Sequence, residues 1–464
     1  YSQIKTNAEF IANKLSSISK KGDIIGILLP NCPEFIFSYF GILKSGCVAL
    51  LIPTNISDEN LEYQLKKTMP ICVISAFVYE NKLNRIHLPK RTEIINIKKL
   101  LEKTSDGKKV VRKINGKSLA SIVFTSGSTS KSKGVMLQHS NVVQATKNMI
   151  EFLKFKEKDI DVNISSLSHS FGLGHLHCIF AVGGTEILFK DSVNLKKILE
   201  TIIKEHATTF SAVPTILHLI TLHYAQIFSK CDKYLRFIQT NTSILDQDLI
   251  KKIFYLLPAT DFHYYYGLTE ASRSTFITLN KNMDKLTSIG KSSPNVKIKI
   301  VSEKRRKLPP PKIGEICIKG KHVISGYFKD KEISKRRIRS GWLHTGDMGF
   351  TDKDEYLYFY GRKDDVINVA GEKVSPEEIE YKAKNVPGVL DAVVVGQPDK
   401  LFGEVAKLYV VVKKGSFKMD ELVISLKKNL ERYKNPAEIL IIDKVPRTDN
   451  GKVMRWKLKQ NFFD

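Results

Sequence analysis

An apolar run, Leu119-Ala120-Ser121-Ile122-Val123-Phe124, leads straight into a polar loop, Thr125-Ser126-Gly127-Ser128-Thr129-Ser130-Lys131-Ser132-Lys133-Gly134-Val135. The run reads as a buried strand. Beyond the loop, His139-Ser140-Asn141 offers a cap and residues 142–153 take helical spacing. Small hydroxyl and glycine residues at the end of a buried strand let backbone approach a polyanion. Their N–H and O–H groups donate to phosphate oxygens, and Lys133 adds a point charge. The loop is not a Walker loop, because it closes Ser132-Lys133-Gly134 rather than Gly-Lys-Ser/Thr. Standing alone it would pass equally well for a Ser/Gly linker.

Its surroundings narrow the choice. Over residues 8–18, 33–43 and 61–68 the spacing predicts helices; 24–29, 48–52 and 71–75 read as strands. Strands alternating with helices predict a parallel, doubly wound sheet, whose ligands sit at strand ends. The pattern resumes with strands at 185–189 and 208–213 around a helix at 195–205. From about residue 291 the texture changes to short strands at 296–301, 314–319 and 356–360, predicting a small β-barrel or open antiparallel sheet. A last α+β unit follows, with strands at 389–395, 406–412 and 439–442 and a helix at 419–433. Ser375-Pro376-Glu377-Glu378 predicts a capped helix start. The expected fold is α/β: a large N-terminal domain, residues 1–361, with parts at about 1–160, 161–290 and 291–361, and a smaller C-terminal domain, 362–464.

With 464 residues and 42% apolar content the chain has material for several cores. No apolar run approaches the ~20 residues of a membrane span. Tyr1 in place of methionine suggests that the natural N-terminus lies further upstream. A net charge of +26 invites a nucleic-acid reading. The lysines are spread along the chain, however, and no nucleic-acid-binding motif accompanies them. The tightest cluster, Lys304-Arg305-Arg306-Lys307 before Pro309-Pro310-Pro311, reads as a solvated turn. Six cysteines without a CxxC pair predict free thiols in a reducing compartment, the cytoplasm. His175-Leu176-His177-Cys178 is better explained by packing than by a metal.

Four further stretches carry reactive residue types. Tyr266-Gly267-Leu268-Thr269-Glu270 follows an aromatic strand and combines a ring, a glycine turn and a carboxylate suited to Mg²⁺. Trp342-Leu343-His344-Thr345-Gly346-Asp347 offers a carboxylate on a tight turn, able to accept ribose hydroxyls. Gly361-Arg362-Lys363-Asp364-Asp365 joins the last two parts. Pro446-Arg447-Thr448-Asp449-Asn450-Gly451-Lys452 projects a lysine near the end. Each alone is explained by a turn, a linker or a solvent-facing lysine.

Together and in this order they resemble the adenylate-forming superfamily, and within it the AMP-forming acyl-CoA synthetases. Milder echoes support the likeness: Leu43-Lys44-Ser45-Gly46, residues 167–173, Gly326-Tyr327, and Tyr433-Lys434-Asn435-Pro436. The resemblance implies a large domain with a mobile C-terminal lid, and a two-step reaction. A small-molecule carboxylic acid, fatty or otherwise, and ATP give acyl-adenylate and pyrophosphate, and the acyl group then passes to the thiol of CoA. It also implies Mg²⁺. Thr125, Ser126, Gly127, Ser128, Thr129 and Lys133 would hold the β- and γ-phosphates, Thr269 the α-phosphate and Glu270 the metal. Tyr266, beside Gly267, would stack on adenine; Asp347 and Arg362 would bind ribose. Asp364 matches the hinge, Lys452 would bridge carboxylate and α-phosphate, Gly371 would line the pantetheine passage, and His169 matches a residue near the acyl group. Two alternatives remain: a ligase that loads a separate acyl or peptidyl carrier protein, and a non-catalytic nucleotide- or acyl-binding homologue. Two departures stand out. Ser130 and Ser132 replace the usual Gly and Pro, and Gln239-Thr240-Asn241-Thr242-Ser243-Ile244 replaces a Ser-Gly-Gly-Ala-Pro-like segment.

Overall fold

The computed structural model describes residues 1–102, 112–125, 132–190, 193–241, 245–369, 372–399, 401–413, 415–447 and 453–460. The first sheet runs Glu93–Asn96, Cys72–Ser75, Ile24–Leu28, Val48–Leu51, Leu119–Thr125, Lys133–Gln138 in space. Its first five strands are parallel. Ile24–Leu28 is buried at every position, as a strand covered on both faces must be. On one face Ile25 and Ile27 share a core with Ile11, Leu15, Phe35 and Tyr39 of helices Ser2–Ile18 and Pro33–Lys44. On the other, Ile24 and Leu28 share a core with Leu61 and Leu65 of helix Asp58–Thr68.

The second sheet runs Lys291–Ser292, Ala271–Thr278, Asp261–Leu268, Phe237–Asn241, Thr209–Ser211, Ile160–Asn163, Thr185–Leu188. It is parallel from Asp261–Leu268 inward, with Ala271–Thr278 folded back antiparallel. For the third part the pairing selects the open sheet of the two expected forms: Lys297–Val301, Gly314–Lys319, Trp342–Thr351 and Ile338–Arg339 in order, with Leu357–Arg362 also on Trp342–Thr351. The fourth sheet centres on Gly403–Val412 and Val389–Asp399, packed against helices Pro376–Lys384 and Met419–Asn429. No helix among the described residues is long and apolar enough to cross a membrane.

Four local expectations are corrected. The polar loop does not run on to Val135: strand Lys133–Gln138 begins within it, antiparallel to Leu119–Thr125, so the two strands form a hairpin ahead of the expected helix. The helix then begins at His139, where Gln138 and Asn141 cap one another reciprocally. Trp342 to Asp347 belongs to a ten-residue strand and not to a tight turn. The helix from Met419 stops at Asn429, and residues Arg432–Lys434 form a separate 3₁₀ turn.

Ser375 does precede helix Pro376–Lys384, but its hydroxyl makes no backbone cap. It donates to Glu377 Oε2 at 3.0 Å. Glu377 shares one guanidinium, that of Arg455, with Glu380 at 2.6 Å and Asp365 at 3.7 Å. Burial pushes the Glu377 carboxyl up to about 7, Arg455 opposing and Glu380 adding to the rise. Stability carried by protonated Glu377 is therefore complete below about pH 4.5 and is lost as the pH rises through about 7. Glu377→Gln is expected to flatten the fall in thermal stability between about pH 5 and pH 8, by on the order of 1–3 kcal/mol. An unchanged slope in melting curves across that range would assign the dependence elsewhere.

Candidate active site

Three pieces of the two larger sheets and the open sheet meet at one place. The first is the hairpin of Asp261–Leu268 and Ala271–Thr278. Leu268 pairs with Ala271, so Thr269 and Glu270 form its two-residue turn. A Cβ on Gly267 would lie 2.4 Å from the Arg273 backbone nitrogen, so only glycine lets the chain fold back this tightly. Glu270 is buried, and its Oε1 accepts from the Tyr327 hydroxyl at 2.9 Å. Among the described residues its other oxygen has no partner.

The second piece is the base of the polar loop. Thr125 and Lys133 face each other across the ladder, which sets both ends of the loop. Residues Ser126, Gly127, Ser128 and Thr129 lie outside the described residues, as do Gly371 and Lys452. Val135 bridges to Tyr327, and Phe328 N donates to Gly134 O at 2.8 Å. This docks the loop's base beside the residue that holds Glu270. Burial lowers the Lys133 ammonium below its ordinary value, and Arg337 and Arg336 add to this while Glu270 opposes it. Lysine, arginine and carboxylate thus crowd one electropositive spot.

The third piece carries Asp347. Strand Trp342–Thr351 bulges here: Cys317 pairs with His344 and Glu315 with Met348, so Thr345, Gly346 and Asp347 stand opposite Ile316 alone. Thr345 stabilises the bulge, donating to Ile316 O at 2.7 Å and accepting from Asp347 N at 3.0 Å. Asp347 is 2% exposed. Its Oδ2 accepts from the Tyr266 hydroxyl at 2.6 Å and its Oδ1 from Arg362 Nη1. Each carboxylate oxygen has a further lone pair, so two acceptor positions remain. The Tyr266 hydroxyl is pushed well above its ordinary range by burial and by Asp347, and therefore acts as a donor.

His169 immediately precedes helix Ser170–Val182. The Ser170 carbonyl there accepts from Arg273 Nη1 at 2.8 Å, which ties this helix to the Thr269-Glu270 hairpin. Burial lowers the His169 imidazole below its ordinary value, which keeps it neutral. Tyr327, Arg337 and Arg273 went unassigned from sequence. Gly326-Tyr327 was at least visible as a family echo, whereas Arg337 was hidden in a run of basic residues.

The donor set fits a nucleotide triphosphate with a divalent cation. A half-free carboxylate (Glu270) lies among cations, and a second carboxylate (Asp347) keeps two acceptor positions. A family model described as AMP-binding enzyme matches residues 1–328, and one described as AMP-binding enzyme C-terminal domain matches residues 378–452. 4-Coumarate–CoA ligase 1 of Petroselinum crispum is 28% identical over 483 residues, covering 99% of this chain and 88% of its own. A putative acyl-CoA synthetase of Bacillus subtilis is 29% identical over 493 residues, with 96% and 88% covered. Among solved structures, o-succinylbenzoate CoA synthetase of Bacillus subtilis with its acyl-adenylate intermediate superposes at TM-score 0.91 and 26% identity, covering 99% of this chain and 92% of that one. The same enzyme with ATP and a magnesium ion also gives 0.91 and 26%, with 99% and 94% covered.

Proposed function

The chain belongs to the AMP-binding enzyme family, and on that premise we propose how its site divides the work of an AMP-forming acid–thiol ligase. The family's reaction is ATP-dependent activation of a carboxylic acid followed by transfer to CoA, with Mg²⁺. In our reading Asp347 accepts both ribose hydroxyls on its two remaining acceptor positions, oriented by Tyr266 and Arg362. Tyr266 is thereby placed beside the base. Thr269 meets the α-phosphate and Glu270 holds the metal. Thr125, the loop residues 126–129 and Lys133 hold the β- and γ-phosphates. His169 stands at the acyl end, Lys452 bridges the two reactants, and Gly371 lines the approach of the thiol.

The chemistry demands this distribution. A carboxylate attacking a polyanion is repelled, so fixed cations and N–H dipoles must sit where charge accumulates. Bound Mg²⁺ would add charge neutralisation at the phosphates. Residues 1–361 carry most of the first step's groups, and residues 362–464 add Arg362 and act as a lid that brings and then withdraws Lys452. The acid has a fatty or aryl skeleton, and the protein works in a reducing compartment such as the cytoplasm.

The carrying observation is that one turn, Thr269-Glu270, adjoins both the Tyr266–Asp347–Arg362 triad and the base of the polar loop. ATP and Mg²⁺ offered with acetate, fatty and aryl acids are expected to yield pyrophosphate and AMP. With CoA the product should be a thioester, and without it the bound adenylate should accumulate. Release of ADP, or CoA-independent transfer to a carrier protein alone, would overturn the reading.

A further inference from the structure

The Thr269 turn also borders a cleft walled by Tyr39, Ser121, His177, Arg273 and His322 among others, with no acidic residue in its lining. Its walls are unusual for a site that takes a plain hydrocarbon. Tyr39 Oη, Ser121 Oγ, His322 Nδ1 and Arg273 Nε are all buried and have no hydrogen-bond partner among the described residues. Leaving a buried polar atom unpaired costs ~1–3 kcal/mol, so several on residues that line one cleft favour a polar occupant there.

Arg273 is the decisive member. It is 2% exposed and no carboxylate pairs with it among the described residues. Its Nη1 donates to Ser170 O at 2.8 Å and to Ser272 Oγ at 2.5 Å, and its Nη2 to Phe171 O at 3.0 Å. The Nε–H and one Nη2–H, which together form the edge that grips a carboxylate with two bonds, stay unused. The head also lies over the Tyr265 ring at 5.3 Å. Burying a guanidinium without a counter-charge is costly, and the three hydrogen bonds and the ring offset that cost only in part.

Two further local choices place it there. Arg273 has φ +61°, a left-handed conformation that arginine adopts at a cost. Gly174, in the interior of helix Ser170–Val182, leaves the room: a Cβ there would lie 2.3 Å from Arg273 Nη2. A helix-interior glycine is itself unfavourable by ~1 kcal/mol against alanine. Both His177 and His322 are held neutral by burial, pushed down to about 3 and about 4. The cleft's single permanent charge is therefore the arginine.

We infer that this cleft receives the acyl portion of the substrate and that Arg273 selects acids bearing a second anionic group, a dicarboxylate or its equivalent. The inference rests on the acid-activating reading and narrows its substrate class. The reacting carboxylate lies at Thr269, and the distal one takes the free edge of Arg273. Tyr39, Ser121 and His322 supply the remaining polar contacts. Simple fatty acids would leave the guanidinium dry and unpaired.

Matched pairs test this: hexanoate against adipate, and cinnamate against its para-carboxy analogue, by carboxylate-dependent pyrophosphate release with wild type, Arg273→Met and Arg273→Lys. Wild type should favour the diacid of each pair by at least about 10-fold in kcat/KM. Arg273→Met should shift the diacid-to-monoacid ratio down by about 10²-fold, mainly through KM, and Arg273→Lys should restore part of it. A wild type that favours the monoacids overturns the inference. So does an Arg273→Met that lowers both members alike, since the arginine would then merely tie helix to hairpin. If no acid releases pyrophosphate, the activation reading fails, and the cleft is judged by calorimetric titration alone. Adipate binding to wild type but not to Arg273→Met, with hexanoate weak to both, supports it; equal binding of the two acids refutes it.

Discussion

Lys452→Ala is expected to cut carboxylate-dependent pyrophosphate exchange by about 10²–10³-fold while sparing thioester formation from supplied acyl-adenylate. The reason is that a compact ammonium can touch the incoming carboxylate and the α-phosphate at once, orienting as well as stabilising, and only the first step needs both. Lys452 lies outside the described residues, but the base of its loop does not. Arg447 and Val453 pair across that base, and Met454 N donates to Pro446 O at 2.8 Å. Arg447 is bound to Asp391 at 2.5 Å and Arg455 to Glu380 at 2.6 Å, so both flanks are fixed to the body of residues 372–460. The base of the segment that carries Lys452 is thus fixed to that body, and the effect of the substitution should be all-or-none by step. Exchange that stays near wild type would remove Lys452 from the reacting centre; equal losses in both half-reactions would point to a general defect of the lid.

Asp347→Asn carries the second large effect, on nucleotide affinity. The carboxylate is 2% exposed, holds Arg362 and Tyr266, and in our reading accepts two ribose hydroxyls. Charge-assisted hydrogen bonds contribute ~1.5–3 kcal/mol each, so losing two should weaken ATP binding by roughly 10²–10⁴-fold. Breaking a buried ion pair also costs ~3–5 kcal/mol of stability. Isothermal titration with ATP and with its 2′,3′-dideoxy analogue separates the two effects. Wild type should discriminate strongly between them, and Asp347→Asn should bind both at the same reduced level. Discrimination surviving in the variant would mean that the ribose is read by another group.

Sequence alone exposed the alternation of elements and most of the residues that meet at the site, because period and short motifs are local properties. What it hid was set by non-local pairing. Strand Lys133–Gln138 was missed because its three apolar residues, 135–137, stand in a row between Lys133-Gly134 and Gln138 without alternation, and its status comes from pairing with Leu119–Thr125. The Asp347 segment resembled a turn because its glycine and threonine serve a bulge whose existence depends on Ile316 across the sheet. Arg273 carried no motif. Its burial, its φ of +61° and the gap left by Gly174 are facts of packing between a helix and a hairpin a hundred residues apart. The helix from Met419 was over-extended through apolar spacing that continues past Asn429, whereas Leu430 turns inward from an extended backbone.

The ladder that seats Thr125 opposite Lys133 also fixes the span that the seven intervening residues must close. A segment sutured at both margins can change its composition without displacing the frame, since the entropic toll of closure varies only weakly with what lies between. Ser130 and Ser132, which depart from the family's usual glycine and proline, thus leave the anchorage of Lys133 in place. On the reading proposed above, evolution can retune grip and release of the triphosphate in that strip independently of the pocket that chooses the acid.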